Sequence, residues 1–133
     1  VQTQTTLRIA AISGALAVIL GAFGAHGLKP YLDEEALKTW HTASFYHFVH
    51  TLVLLIVALV GLHHKIPRFI PILFIVGICL FSGSLYLLST KELHSFPHTF
   101  LGPLTPIGGV FFIAGWLSLF YIAFKIKSVS SLR

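Results

Sequence analysis

Charge falls in short intervals along this chain, and between them lie four long stretches without Asp, Glu, Lys or Arg. They run between Arg8 and Lys29, Lys38 and Lys65, Arg68 and Lys91, and Glu92 and Lys125. Hydrocarbon about 30 Å thick is crossed by ~20 residues of helix, so each stretch is long enough to span a bilayer. The fourth begins with HSFPHTFLGPLTP from His94, which is too rich in Pro and Gly for simple helix. Pro106 suits a first helical position with Thr105 as its cap. The pattern predicts one domain over 1–133 with four helices near 8–28, 36–63, 67–89 and 105–126. Asp33, followed by Glu34 and Glu35, reads as the cap of the second helix. A strand reading fails, since no ten-residue alternation is present and four strands cannot close a barrel. The first stretch is longer than the apolar core of a signal peptide, about 7–15 residues, and reads as a span.

The helix faces are inverted relative to a soluble protein. In the second helix Ala43, Ser44, His47, His50, Thr51 and Ala58 share one arc. Opposite them stand Phe45, Phe48, Val49, Leu52, Val53, Ile56 and Val60. Small and polar toward protein with bulky toward lipid is the pattern of a membrane bundle. The first helix is small around most of its circumference, with Ala10, Ser13, Gly14, Ala17, Gly21, Gly24 and Ala25 on one side. Such a helix should pack against at least two neighbours, with Gly21 at a close approach. The third helix aligns Cys79, Ser82, Gly83 and Tyr86, with Cys79 expected in the core, and the fourth aligns Gly108, Gly115 and Ser118.

Composition agrees: 56% of the residues are hydrophobic and 10% charged, against about 45–50% and 25% in soluble domains. A chain this apolar has too little charge to cover a water-facing surface. Cys79 is the only cysteine, so no intrachain disulfide forms. The net charge of +5 bears on topology. Arg8, Lys65, Arg68, Lys125, Lys127 and Arg133 fall on one side of a four-span protein. Lys29, Lys38 and Lys91 fall on the other, with Asp33, Glu34, Glu35 and Glu92. By the positive-inside rule both termini face the cytoplasm, or the matrix if the protein is mitochondrial. No basic face with a reading motif is present, so nucleic acid is not an expected partner.

Polar residues then gather toward the outer half: Gly21 to His26, Trp40 to His50, Ser82 to Tyr86 and Thr105 to Gly109. Imidazoles and hydroxyls in hydrocarbon are costly unless they pair, so a shared polar cluster is expected. His47 and His50 sit on its arc. With no acid or second Cys at that depth, interhelical hydrogen bonding outranks ligation of metal or haem. The expected partners of His50 are Ser82, Ser84 or Tyr86 of the third helix, or backbone carbonyls of the Gly-rich helices. His26 and His41 belong at the outer interface, His63 and His64 at the inner one, and His94 and His98 in the outer loop. Ser82-Gly83-Ser84 lacks a His–acid partner and reads as packing. No cofactor and no catalytic set is expected.

Four motifs in order carry a resemblance: Gly21-Ala22-Phe23-Gly24-Ala25-His26-Gly27, Tyr46-His47-Phe48-Val49-His50-Thr51-Leu52, Phe81-Ser82-Gly83-Ser84-Leu85-Tyr86, and Thr105-Pro106-Ile107-Gly108-Gly109 with Gly115-Trp116. The chain resembles the small four-helix membrane proteins of the domain of unknown function 423 family, the transmembrane protein 256-like proteins. The resemblance implies a bacterial or mitochondrial inner membrane and marks His26, Tyr46, His50, Ser82, Gly83, Tyr86, Pro106, Gly108, Gly109 and Trp116 as motif positions. It implies no activity. Bacterial members often carry Gln at the position of His47, so the His47–His50 pair is not a required ligand set.

The residues leave three function classes open. The first is a non-enzymatic accessory protein packed against itself or a larger, for instance respiratory, membrane complex. The second is a minimal transporter or proton conductor using the polar cluster, and the third a haem- or quinone-binding redox subunit. The orientation is directly testable: a C-terminal reporter fusion should be active only when its reporter works on the cytoplasmic or matrix side, and activity confined to the far side would reverse the topology.

Overall fold

A computed structural model describes residues 2–126, so Lys127 and Arg133 of the basic-residue tally lie outside the described residues. Four helices long and apolar enough to cross a membrane follow in order: α1 (Gln2–Ala25), α2 (Glu34–Val60), α3 (Phe69–Ser89) and α4 (Leu104–Ala123). Single 3-10 turns at Lys91–Leu93 and His98–Phe100 shape the loop before α4. No strand occurs among the described residues.

The ends follow local chemistry. Asp33 caps α2 as expected, its Oδ1 accepting the Ala36 N–H at 2.8 Å, and Lys38 pairs with Glu34 at 2.9 Å on the exposed first turn. Two boundaries differ from the sequence reading. α1 starts well before Arg8, because the QTQTT segment holds no helix breaker and a single charge does not stop a helix. α4 starts at Leu104, so Thr105 is not its cap. The Thr105 hydroxyl instead meets Ser84 Oγ at 2.6 Å, and Pro106 is the third helical residue. Proline is tolerated there because first-turn N–H groups have no intrahelical partner.

α3 holds a feature that no residue type announced. Ile78–Ser82 forms a π-helical turn, and the Gly83 N–H reaches back five residues to the Ile78 carbonyl. Such a turn inserts one residue into the ladder and rotates the helical turns beyond it.

α2 is the hub. α1 packs along α2 and makes little contact with the other helices, while α3 packs on both α2 and α4. The core between α2, α3 and α4 centres on Leu54, Ile70 and Phe74, joined by Val57 and Phe112. The expected two-sided packing of α1 is therefore wrong. Its seam against α2 is Thr6, Ala10, Ala17 and Gly24, and Ala11, Ala15 and Ala22 are exposed. Nothing lies within 4 Å of a Cβ built on Gly21. Cys79 is exposed rather than in the core, because α1 does not reach α3 to cover it. Val53, expected toward lipid, is buried.

Other glycines do mark close approaches. A Cβ on Gly24 would enter the Trp40 ring, and one on Gly108 would lie 2.8 Å from Phe81 Cα. Gly115 similarly receives the edge of Phe74, 2.7 Å from such a Cβ. Without a hydrophobic force between helices in lipid, close backbone approach and dispersion supply the attraction. At the end carrying the start of α1, Arg68 Nε donates to Gln2 Oε1 at 3.1 Å and Thr3 Oγ1 donates to the Gly61 carbonyl at 3.2 Å.

The two kinds of glycine should separate in a stability measurement. Gly108→Leu should cost about 1–3 kcal/mol or more through overpacking, and Gly21→Leu no more than about 0.5 kcal/mol. Thermal unfolding in detergent reads both; equal losses would contradict the packing described.

Candidate functional site

The polar residues at mid-bundle form two separate networks around α2, rather than the single shared cluster expected. His47 is the middle residue of Glu34–Val60 and is buried. Its Nε2 lies 3.1 Å from Ser13 Oγ of α1, and its Nδ1 lies 3.2 Å from Tyr86 Oη of α3. Ser13 Oγ is also 2.6 Å from Thr51 Oγ1, and Tyr86 Oη donates to Ser44 Oγ at 3.3 Å. Because Tyr86 gives its proton to Ser44, it receives one from His47 Nδ1. His47 Nε2 is then the acceptor for Ser13, whose own oxygen accepts from Thr51. The result is a directed chain, Thr51 to Ser13 to His47 to Tyr86 to Ser44, in which each inner member both donates and accepts.

His50 faces the other way. Its Nε2 accepts from Trp116 Nε1 of α4 at 3.2 Å, and its Nδ1 donates to the Tyr46 carbonyl at 2.8 Å. Indole is a donor only and a carbonyl an acceptor only, so the imidazole is neutral with its proton on Nδ1. The ring lies flat on Phe112, 3.5 Å between centroids and 6° between planes. The partners expected for it on α3 are not used, since Ser82, Ser84 and Tyr86 all face elsewhere. Ser84 Oγ donates to the Phe81 carbonyl at 3.0 Å and pairs with Thr105. Both nitrogens of each buried imidazole are thus engaged within the bundle.

The remaining expected positions scatter. Tyr46 is partly exposed and lends its ring rather than its hydroxyl, 4.6 Å from Phe81 and 5.9 Å from His50 by centroid. Gly108 and Phe81 form the α3–α4 crossing, while a Cβ on Gly109 would lie 3.8 Å from the Phe81 ring and Pro106 is exposed. His26 and His41 are exposed at the ends of α1 and α2. His94 serves its loop as expected: Nε2 donates to the Leu87 carbonyl at 2.9 Å and Nδ1 accepts the Phe96 N–H at 3.1 Å. Trp40, which the sequence placed only at the start of an outer polar stretch, is a buried anchor whose Nε1 donates to the Leu20 carbonyl at 2.9 Å.

Between α1 and α3, in front of His47, runs a groove of about 360 Å³ open toward lipid. Ser13, Ser82, Gly83 and Tyr86 border it among apolar residues.

The family model described as protein of unknown function (DUF423) matches residues 20–109. The chain belongs to the DUF423 family of membrane proteins. It is 42% identical to the UPF0382 membrane protein YwdK of Bacillus subtilis over 122 residues, covering 88% of this chain and 94% of that protein. A UPF0382 membrane protein of Haemophilus influenzae is 42% identical over 92% of this chain and 96% of its own. One from Schizosaccharomyces pombe is 41% identical over 87% and 98%. No solved structure matches. The DUF423 match contains His47, His50, Ser82 and Tyr86, whereas Ser13 and Trp116, which complete the two networks, lie outside it.

The Trp116 bond sets the expected behaviour of His50. His50→Gln keeps an acceptor and should cost about 0.5 kcal/mol, while His50→Leu strands the indole N–H and should cost about 1–2 kcal/mol. A double-mutant cycle with Trp116→Phe, read by unfolding in detergent, should return a coupling of about 0.6 kcal/mol. No coupling would mean that the two side chains do not meet.

Proposed function

We propose that this DUF423 protein is a non-enzymatic accessory component of its membrane, a bacterial or mitochondrial inner membrane, and that it acts by docking onto a larger membrane assembly. The observation that supports this most is the outward side of α1. Ala11, Ala15, Ala22 and Ala25 recur at i, i+4, i+11 and i+14 and all are exposed. Against lipid tails a small side chain offers no advantage over Leu, whereas against another helix it lets the backbones approach. The same helix already uses Ala10, Ala17 and Gly24 in that way against α2. α1 therefore has two small seams, one occupied and one open. The occupant proposed is a transmembrane helix of another protein.

A conducting role has less support. From Thr6 to Ser13 the interior is apolar for about 10 Å at 1.5 Å per residue, filled by Ala10, Leu54 and Val57. A proton reaching Thr51 from that end would find no polar group to carry it.

Ala15→Phe provides the test. The side chain is exposed in the isolated bundle, so the variant should keep its thermal stability in detergent. On native gels of mildly solubilised membranes the wild-type protein should migrate within a larger assembly and the variant as free protein. Co-migration of a tagged second copy alone would make the assembly a homo-oligomer. A wild-type protein that migrates as a monomer, or a variant that stays in the assembly, would overturn the proposal.

A further inference from the structure

We infer that the furrow between α1 and α3 seats one phospholipid with an anionic headgroup, its phosphate on Lys65 and Arg68 and one acyl chain lying along the furrow toward Cys79. The site is on a different side of α1 from the alanine seam and does not depend on docking.

The furrow follows from the way the helices pack. α1 and α3 both lean on α2 and make little contact with each other. Two hollows result, one of about 310 Å³ at the end carrying the start of α1 and one of about 360 Å³ further along. Ile9 and Ile75 wall both, so the two run into one another. The surface they offer is almost wholly apolar, with Ile12 and Leu16 on α1 and Ile72 and Ile78 on α3. From Arg68 to Cys79 the helix rises about 16 Å at 1.5 Å per residue. One leaflet of a hydrocarbon core about 30 Å thick is about 15 Å deep, so an acyl chain anchored at Arg68 ends beside Cys79. In a concave furrow such a chain touches protein on more than one side, and it gains dispersion contacts that a flat helix face does not give.

Charge at the mouth selects the lipid. Arg68 borders the first hollow and immediately precedes the span Phe69–Ser89, which places it at the edge of the hydrocarbon. Its Nε bonds the Gln2 amide oxygen at 3.1 Å. That partner is neutral, so the guanidinium charge stays uncompensated, and its Nη groups keep their N–H donors for a phosphate. A hollow of about 190 Å³ adjoins the mouth, sharing Gln2, Thr6 and Pro71 with it, and Lys65 and His64 line that hollow. Among the described residues Lys65 makes no ion pair. All four carboxylates of the chain, Asp33, Glu34, Glu35 and Glu92, belong to the opposite end of the bundle. There Lys38 is paired with Glu34. A basic pocket between membrane helices, with no acid beside it, is suited to a phosphate-bearing lipid head. A zwitterionic head brings an ammonium that Lys65 and Arg68 repel, which favours the anionic class.

The probe is a phosphatidylglycerol with a photoreactive diazirine at the end of one acyl chain. The purified protein is reconstituted in phosphatidylcholine bilayers with a trace of the probe, and cross-linked peptides are read by mass spectrometry. The label should concentrate on the furrow, at Ile12 to Leu16 and Ile75 to Cys79. The exposed face of α4 at Ile113 and Leu117, at the same depth, should take much less. A phosphatidylcholine carrying the same diazirine should label the two places alike. Lys65→Gln and Arg68→Gln should each lower the furrow label roughly 5-fold, the worth of one basic residue at an anionic head, and leave the α4 label unchanged. Phosphatidylglycerol label spread evenly over the furrow and α4 would overturn the inference. Equal furrow labelling by the two wild-type probes would overturn it as well, and that comparison needs no variant to fold.

Discussion

Hydroxyls and imidazoles in the middle of a bilayer have only one another and the backbone to bond, and the arrangement of this bundle depends on that restriction. α2 carries both buried histidines. Three residues of helix turn the second by about 60° from the first, so His47 and His50 address different neighbours. His47 takes its partners from α1 and α3, and His50 takes Trp116 from α4. A single helix thereby bonds to all three others through side chains. The directed chain from Thr51 to Ser44 and the neutral His50 tautomer are consequences of pairing both nitrogens of each buried imidazole.

Packing obeys a second restriction, which divides the bundle into a tight part and a loose part. Lipid tails attract a leucine as well as another helix does, so cohesion between helices comes from close approach. α3 and α4 have it: Gly108 lies against the Phe81 backbone, and Gly77 and Gly115 receive the rings of Phe112 and Phe74. α1 and α2 have it at Gly24 and Trp40. Between α1 and α3 no glycine faces a ring. The two helices stay apart, and the groove with its unpaired Ser82 is what remains. The π turn sits in the one helix that borders both parts. There the Ile78 carbonyl accepts the Gly83 N–H.

The proposed roles divide along the same lines. An open alanine seam on α1 is a surface for another helix, and the groove between α1 and α3 presents an almost wholly apolar wall. Both are consequences of α1 being held on one side only. A helix gripped by two neighbours would have neither.

What the sequence determined by itself is what depends on average properties over many residues. The gaps between charges located four spans, to within a few residues except at the start of α1. The small and polar arc of α2 correctly named His47, His50, Thr51 and Ala43 as buried, and Asp33 announced its cap. Membership of the DUF423 family was legible in four motifs, and each contains a residue of a helix crossing or of a hydrogen-bond network. Only the tertiary structure decided which helix answers which. Periodicity shows that a face is small, but not whether a neighbour is there to use it, so Gly21 and Gly24 looked alike although one meets nothing and the other meets Trp40. Trp116 as the partner of His50, Thr105 as the partner of Ser84, and the shift of the ladder at Ile78 depend on distances between helices far apart in the chain. Those distances are set by the packing of all four helices together, and no local run of residues encodes them.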